Sequence, residues 1–423
     1  MRQRLIALAL LLPILLFVFS GCSGKNRMDI KSADLMANIN SRSGTPSDPD
    51  PQCLSGMARF SSDLLLSSLQ NKGNTLVSPI SVFLALAMTA NGAEGQTKED
   101  MLKVLAGQNI SLQQINETAY DLMALINKTE PETKVTIANS IWFRADFEPS
   151  VSFLQCNADY FGAGAYRLDF SDPKALDVIN GWVKESTHGL IDQIISQIKP
   201  TTVMYLINTL YFKADWMTPF EKPRTGQQAF RTPNGSVMVD MMHRTEPMKY
   251  FTAEKGRGII LPYINQQFAY FAMLPDEGIE PRAWLSSYLD VAFFDQIGQA
   301  AQAPDQVVAL SLPRYEASYE DTLNDELNIM GMGIAFDGGR ADFSNLSASK
   351  TKGLYISEVR HKTKIRVDEK GTEAAAATSV AIDESAVQSD IDLVFDRPFI
   401  YGIMDLKTNL PLFIGLLEDP TKG

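Results

Sequence analysis

Apolar residues recur at helical spacing from Met57 to Leu69, and Gly73 breaks the run soon after. Two further helices are predicted over Ser81 to Asn91 and Thr97 to Leu105, with Pro79 suited to the opening turn of the first. A fourth is predicted over Ala175 to Thr187. Val135 to Phe143 instead alternates with period two, setting Val135, Ile137 and Ile141 against Thr136 and Ser140. Thr202 to Lys213 is β-branched and aromatic with little charge, the composition of a buried central strand. Gly258 to Pro262 and Phe268 to Leu274 suit a hairpin. Val307 to Tyr315, Lys362 to Val367, Phe399 to Asp405 and Pro411 to Leu416 read as further strands. Helices crowd the first half and strands the second, so the pattern predicts an α+β fold rather than repeating βαβ units.

The N-terminus follows a different pattern. Arg2 and Arg4 precede an unbroken apolar run from Leu5 to Phe19, which is 15 residues and too short to span a bilayer. This predicts a secretory signal over residues 1–21. The run ends in Phe19-Ser20-Gly21-Cys22, which resembles a bacterial lipobox, although Phe19 stands where an aliphatic residue is usual. The resemblance implies lipid attachment at Cys22 and a protein exported across the cytoplasmic membrane and anchored at the cell envelope or surface. The alternative is an ordinary signal peptide that happens to contain a cysteine. Residues 22–52 are rich in Ser, Asp, Asn and Pro and predict a flexible tether. No second linker interrupts the remainder, so residues 53–423 are expected to form one large domain.

Composition narrows the chemistry. Of 423 residues, 50 are acidic and 38 basic, for a formal net charge of −12, which gives no general electrostatic grip on nucleic acid. Three cysteines make no disulfide scaffold, although Cys53 and Cys156 are left open as a pair. His188, His243 and His361 lack the local spacing of a metal site. No G-x-S-x-G elbow is present, Asp342 and Ser344 show no triad context, and the glycines at 331, 333, 338 and 339 do not form a phosphate loop. The expectation is a protein that is not an enzyme, with no cofactor and no metal.

Residues 368–390, DEKGTEAAAATSVAIDESAVQSD, fit none of these elements. Ala and Glu favour helix, yet a helix here would have no wide apolar stripe to dock. With period two, Thr372, Ala374, Ala376, Thr378, Val380 and Ile382 share one face, all small to apolar. Glu373, Ala375, Ala377, Ser379, Ala381 and Asp383 share the other. The segment can become a strand with one buried face, and Gly371 gives backbone freedom at its start.

GTEAAAAT preceded by Asp368-Glu369-Lys370 closely resembles the hinge of the serpins, the serine protease inhibitor superfamily. The likeness extends from about residue 55 through Asn74-Thr75-Leu76-Val77-Ser78-Pro79-Ile80-Ser81, Ala138-Asn139-Ser140-Ile141-Trp142, Asn208-Thr209-Leu210-Tyr211-Phe212-Lys213 with Trp216, and Val359-Arg360-His361-Lys362. Phe395-Asp396-Arg397-Pro398-Phe399 followed by Phe413-Ile414-Gly415 is similar to the C-terminal signature. The resemblance implies the serpin fold, with helices packed on a large mixed sheet, smaller sheets and an exposed reactive loop. It implies a suicide inhibitor of serine proteases: the loop is cleaved, inserts into the main sheet and traps the acyl-enzyme.

The same resemblance assigns the hinge to Gly371, Thr372, Glu373, Ala374, Ala375, Ala376, Ala377 and Thr378. It assigns a gating cluster, the shutter, to Ser78, Ser81, Asn208 and His361, and the breach tryptophan to Trp216. The residue before the cleaved bond usually lies fourteen places after the hinge glycine, which gives Ser385 followed by Ala386. Glu384, Ala381 and Ala386 remain rivals for that position. No Lys or Arg occurs from Gly371 to Phe395, so an elastase-like or subtilisin-like partner is expected rather than a trypsin-like one. The protein is expected to be a monomer. A non-inhibitory serpin used for binding or folding assistance is the alternative; small hinge residues favour inhibition.

Overall fold

The computed structural model describes residues 32–70, 72–372, 389 and 391–423. The helices in chain order are α1 (Pro51–Ser68), α2 (Pro79–Ala90), α3 (Gly95–Ala106), α4 (Leu112–Ile126), α5 (Val151–Phe161), α6 (Ala175–Ser186), α7 (Pro281–Tyr288), α8 (Val291–Gln302) and α9 (Asn324–Leu327). Their starts follow local chemistry. The Asp50 carboxylate accepts from the Gln52 and Cys53 amides at 2.8 and 3.0 Å, with Pro51 in the first turn of α1. Ser111 and Gln114 form a reciprocal capping box at α4.

The first strands are β1 (Ala33–Asp34), β2 (Thr75–Val77), β3 (Lys128–Thr129), β4 (Thr133–Arg144), β5 (Gly164–Leu168) and β6 (Met204–Asp215). Next come β7 (Gly226–Thr232), β8 (Gly235–Ala253), β9 (Gly256–Pro262), β10 (Phe268–Pro275), β11 (Gln306–Pro313) and β12 (Tyr315–Thr322). The last are β13 (Arg360–Val367), β14 (Gly371–Thr372), β15 (Ile391–Val394), β16 (Phe399–Asp405) and β17 (Leu410–Leu417). Among the described residues the main sheet runs β1-β5-β4-β6-β14-β13-β12, with β3 against β4. A second sheet runs β15-β11-β8-β9-β10-β16-β17-β2, with β7 against β8. This is the α+β architecture that the pattern predicts.

The central strand predicted over Thr202 to Lys213 is β6, and its alternation sorts the layers. Leu210, Phe212 and Ala214 join the principal core, whereas Tyr205 and Ile207 join a smaller cluster with Val178, Ile179 and Val183 of α6. Helix α6 therefore covers one face of the main sheet and α2 the other.

Two expectations are corrected. Val307 to Tyr315 is not one strand: β11 ends at Pro313, β12 starts at Tyr315, and Arg314 passes the chain from one sheet to the other. Proline has no amide to continue a ladder, so the break falls where that donor is missing. The segment 22–52 is not a free tether throughout. Ala33 and Asp34 pair with Arg167 and Tyr166 on the edge of β5. Arg42 pairs with Glu117 at 2.6 Å and lies over the rings of Tyr120 and Tyr160 at 4.3 and 5.1 Å. The Ser47 amide donates to Asp121 at 2.9 Å. The segment has too few apolar residues to fold alone, but α4, α5 and β5 supply its hydrogen-bond and aromatic partners.

Candidate functional site

Strand β14 sits between β6 and β13 at one end of the main sheet. Gly371 is paired with Asp215, and Thr372 with Ala214 on one side and Val367 on the other. A Cβ on Gly371 would lie 2.1 Å from the Ala214 carbonyl oxygen, so this approach requires glycine. Thr372 is completely buried, and its hydroxyl lies 2.6 Å from the Tyr263 hydroxyl.

The turn before β14 is anchored at each residue. Asp368 accepts from the amides of Lys370 and Gly371 at 2.8 and 3.2 Å. Burial pushes its carboxyl above the usual carboxylate range, against those two hydrogen bonds. Glu369 accepts from the Thr225 hydroxyl at 2.9 Å, with the Arg314 guanidinium 3.6 Å away. The Lys370 ammonium reaches Asp215 at 3.1 Å. Trp216 closes this end: its indole N–H donates to the Asp368 carbonyl at 2.9 Å and its amide to the Lys370 carbonyl at 2.8 Å. Its ring stacks on Tyr263 with centroids 4.7 Å apart.

Farther along the sheet, the start of α2 touches both flanking strands. The Ser78 amide donates to His361 Nε2 on β13 at 3.1 Å. The Ser81 hydroxyl donates to the Asn208 side-chain oxygen on β6. Asn208 in turn donates to the Asn139 side-chain oxygen on β4 at 2.7 Å, and Asn139 donates to the Phe161 carbonyl at 2.8 Å. The structure thus brings Ser78, Ser81, Asn208 and His361 together across two strands. Because His361 Nε2 accepts, the imidazole is neutral. Burial lowers its pKa to about 4.

Among the described residues β6 and β13 share no direct ladder pairing. A cavity of about 160 Å³ lies between their lower ends, lined by Met204 to Asn208 on one side, by residues 353–361 on the other and by α2 behind. A smaller one of about 20 Å³ continues past His361 to Lys364. Asn208 and His361 face both. The site is a slot entered at one end by Gly371 and Thr372, with cavities between the lower parts of its two strands.

Glu373, Ala374, Ala375, Ala376, Ala377, Thr378, Ser385, Ala386 and Cys22 lie outside the described residues. Sequence reasoning missed Tyr263, the partner of Thr372, and the Thr225 and Arg314 partners of Glu369; those contacts join distant segments and leave no local signal. Asn139 stood within a quoted motif without a role, and its register opposite Asn208 supplies one. Cys53 and Cys156 are free thiols, and burial raises both to about 11.

A family model described as Serpin (serine protease inhibitor) matches residues 55–420. A serpin-like protein of Thermococcus kodakarensis is 33% identical over 369 residues, covering 86% of this chain and 85% of its own. The crystal structure of the thermophilic serpin tengpin in its native state superposes with a TM-score of 0.85 at 39% identity, over 92% of this chain and all of that one. Tengpin in its latent state gives 0.77 over 89% of this chain and all of that one, at 40% identity. A thyroxine-binding globulin in complex with thyroxine also gives 0.77, at 25% identity over 87% of this chain and 99% of that one.

Proposed function

The chain belongs to the serpin family, and we propose that it is a lipid-anchored suicide inhibitor of serine proteases. The observation that carries the reading is the short strand Gly371–Thr372, seated between β6 and β13 at the head of a slot. A protease that attacks the loop after residue 372 frees its N-terminal arm. Each further residue that enters the slot gains backbone hydrogen bonds to two strands. At roughly 1 kcal/mol net per residue, about a dozen residues amount to on the order of 10 kcal/mol, enough to distort an acylated enzyme before water releases it. The uncleaved protein is then a kinetically held state.

The polar groups on the slot suit a gate. Ser78 and Ser81 bind β13 and β6 through His361 and Asn208, so separation of the strands must exchange these bonds. Ser385–Ala386 is the proposed scissile bond, and the absence of Lys and Arg from Gly371 to Phe395 supports an elastase-like or subtilisin-like target. Cys22 is the proposed lipid site, which would hold the inhibitor at the cell envelope or surface. A non-inhibitory role, with an uninserted loop, is the second reading.

Incubation with a panel of serine proteases tests the proposal. The expected product is a denaturant-resistant covalent complex with an elastase-like enzyme and a released fragment beginning at Ala386. Cleavage of the loop by every enzyme without any complex would favour the second reading.

A further inference from the structure

The register of the main sheet fixes which end of the molecule the N-terminal segment leaves from. Asp34 pairs with Tyr166 on β5, Tyr166 with Trp142 on β4, and Trp142 with Tyr205 on β6. Tyr205 lies nine residues along β6 from Ala214, the partner of Thr372. At about 3.3 Å per residue, the N-terminal segment joins the sheet about 30 Å from the root of the reactive loop. Strand β5 runs parallel to β4, and β1 antiparallel to β5. Ala33 therefore lies nearer than Asp34 to the end marked by Arg144, Leu168 and Met204.

Docking also sets the reach of the anchor. Ten residues lie between Cys22 and Ala33, a contour of at most about 40 Å. A tether free to Asp50 would span about 100 Å. The pairing of Ala33 and Asp34 with β5, backed by the contacts of Arg42 and Ser47, keeps the slack out of the linker.

We infer that the anchored protein stands with this far pole toward the phospholipid bilayer and its reactive loop toward solution. The inference rests on the lipid-anchor reading above. The same register determines where a captured protease arrives. If the inserted strand continues the antiparallel pairing of Thr372 with Ala214, Ser385 falls opposite Thr201, four residues beyond Tyr205. An enzyme acylated at Ser385 would then lie at the same pole as β1.

The test uses the full-length lipidated protein on phosphatidylethanolamine–phosphatidylglycerol vesicles with a headgroup-labelled energy acceptor. A donor dye is attached at Lys174→Cys, just before α6 at the far pole, or at Met238→Cys, exposed on β8 in the sheet that receives the loop's return strand. Both variants carry Cys156→Ser. Transfer from position 174 should be at least about twofold stronger, because energy transfer falls steeply with distance from the bilayer. Adding Arg42→Ala and Asp121→Ala, which remove the acceptors and donors that hold residues 42–47, should free the segment behind β1, lengthen the linker and shrink that contrast. Equal transfer, or stronger transfer from position 238, would overturn the orientation while leaving the anchor intact. Failure of the unlabelled protein to float with vesicles would instead refute the anchor itself, and the inference with it.

Discussion

His361 concentrates the physics of the slot in one side chain. Its Nε2 is an acceptor, so protonation would set two donors face to face beneath the sheet. Burial lowers its folded pKa from the ordinary 6.5 to about 4, with Asp321 opposing the shift. Between those values the unfolded chain binds the proton and the native chain does not. Native stability is therefore intact above pH 6.5 and is lost as pH falls toward 4, by about 3 kcal/mol. Urea unfolding of the wild type and His361→Gln at stepped pH should show the wild type losing more stability in this window. Parallel pH profiles would remove His361 as the cause. Tyr263 offers a second residue-scale test. Tyr263→Phe strands the Thr372 hydroxyl without its partner and should cost about 1–3 kcal/mol at the head of the slot. The measurable consequence is a higher stoichiometry of inhibition, with more inhibitor cleaved per enzyme trapped.

At the scale of elements, β14 is the decisive piece because it is too short to be stable alone and already lies in register. Thr372→Arg would bring an unpaired charge into a completely buried position, a penalty of several kcal/mol. The loop should still be cleaved, but covalent complex should disappear; undiminished complex would refute entry at this point. Gly371→Ala should act in the same direction, because its Cβ meets the backbone of β6 rather than a movable side chain. Strand β6 was legible in the sequence because its β-branched and aromatic run is local, and the strand start at Gly371 and Thr372 because small residues open that segment. The split at Arg314 was not, since the apolar alternation runs through Pro313 and only tertiary pairing changes sheets. The docked segment of residues 33–50 was illegible for a related reason. Its ordering depends on Glu117, Tyr120, Asp121 and Tyr160, which lie far away in sequence. Arg42→Ala should loosen it by about 1 kcal/mol and speed limited proteolysis within residues 40–48.

At the scale of the whole molecule, the main sheet has room for a further strand. Strands β6 and β13 are held apart by a two-residue wedge, bridged underneath by α2, and flanked by a cavity that a further strand could fill. The greater likeness to native than to latent tengpin agrees with that picture. The similar fold of thyroxine-binding globulin means that architecture alone does not distinguish an inhibitor from a protein that binds a small molecule. The difference lies in whether the cut loop enters the slot. Thermal unfolding before and after cleavage within residues 380–388 by a cysteine protease measures this directly. Insertion worth on the order of 10 kcal/mol should raise the unfolding temperature by on the order of 10 °C or more in a domain of this size. An unchanged unfolding temperature in the cleaved protein would contradict insertion, and with it the inhibitory mechanism.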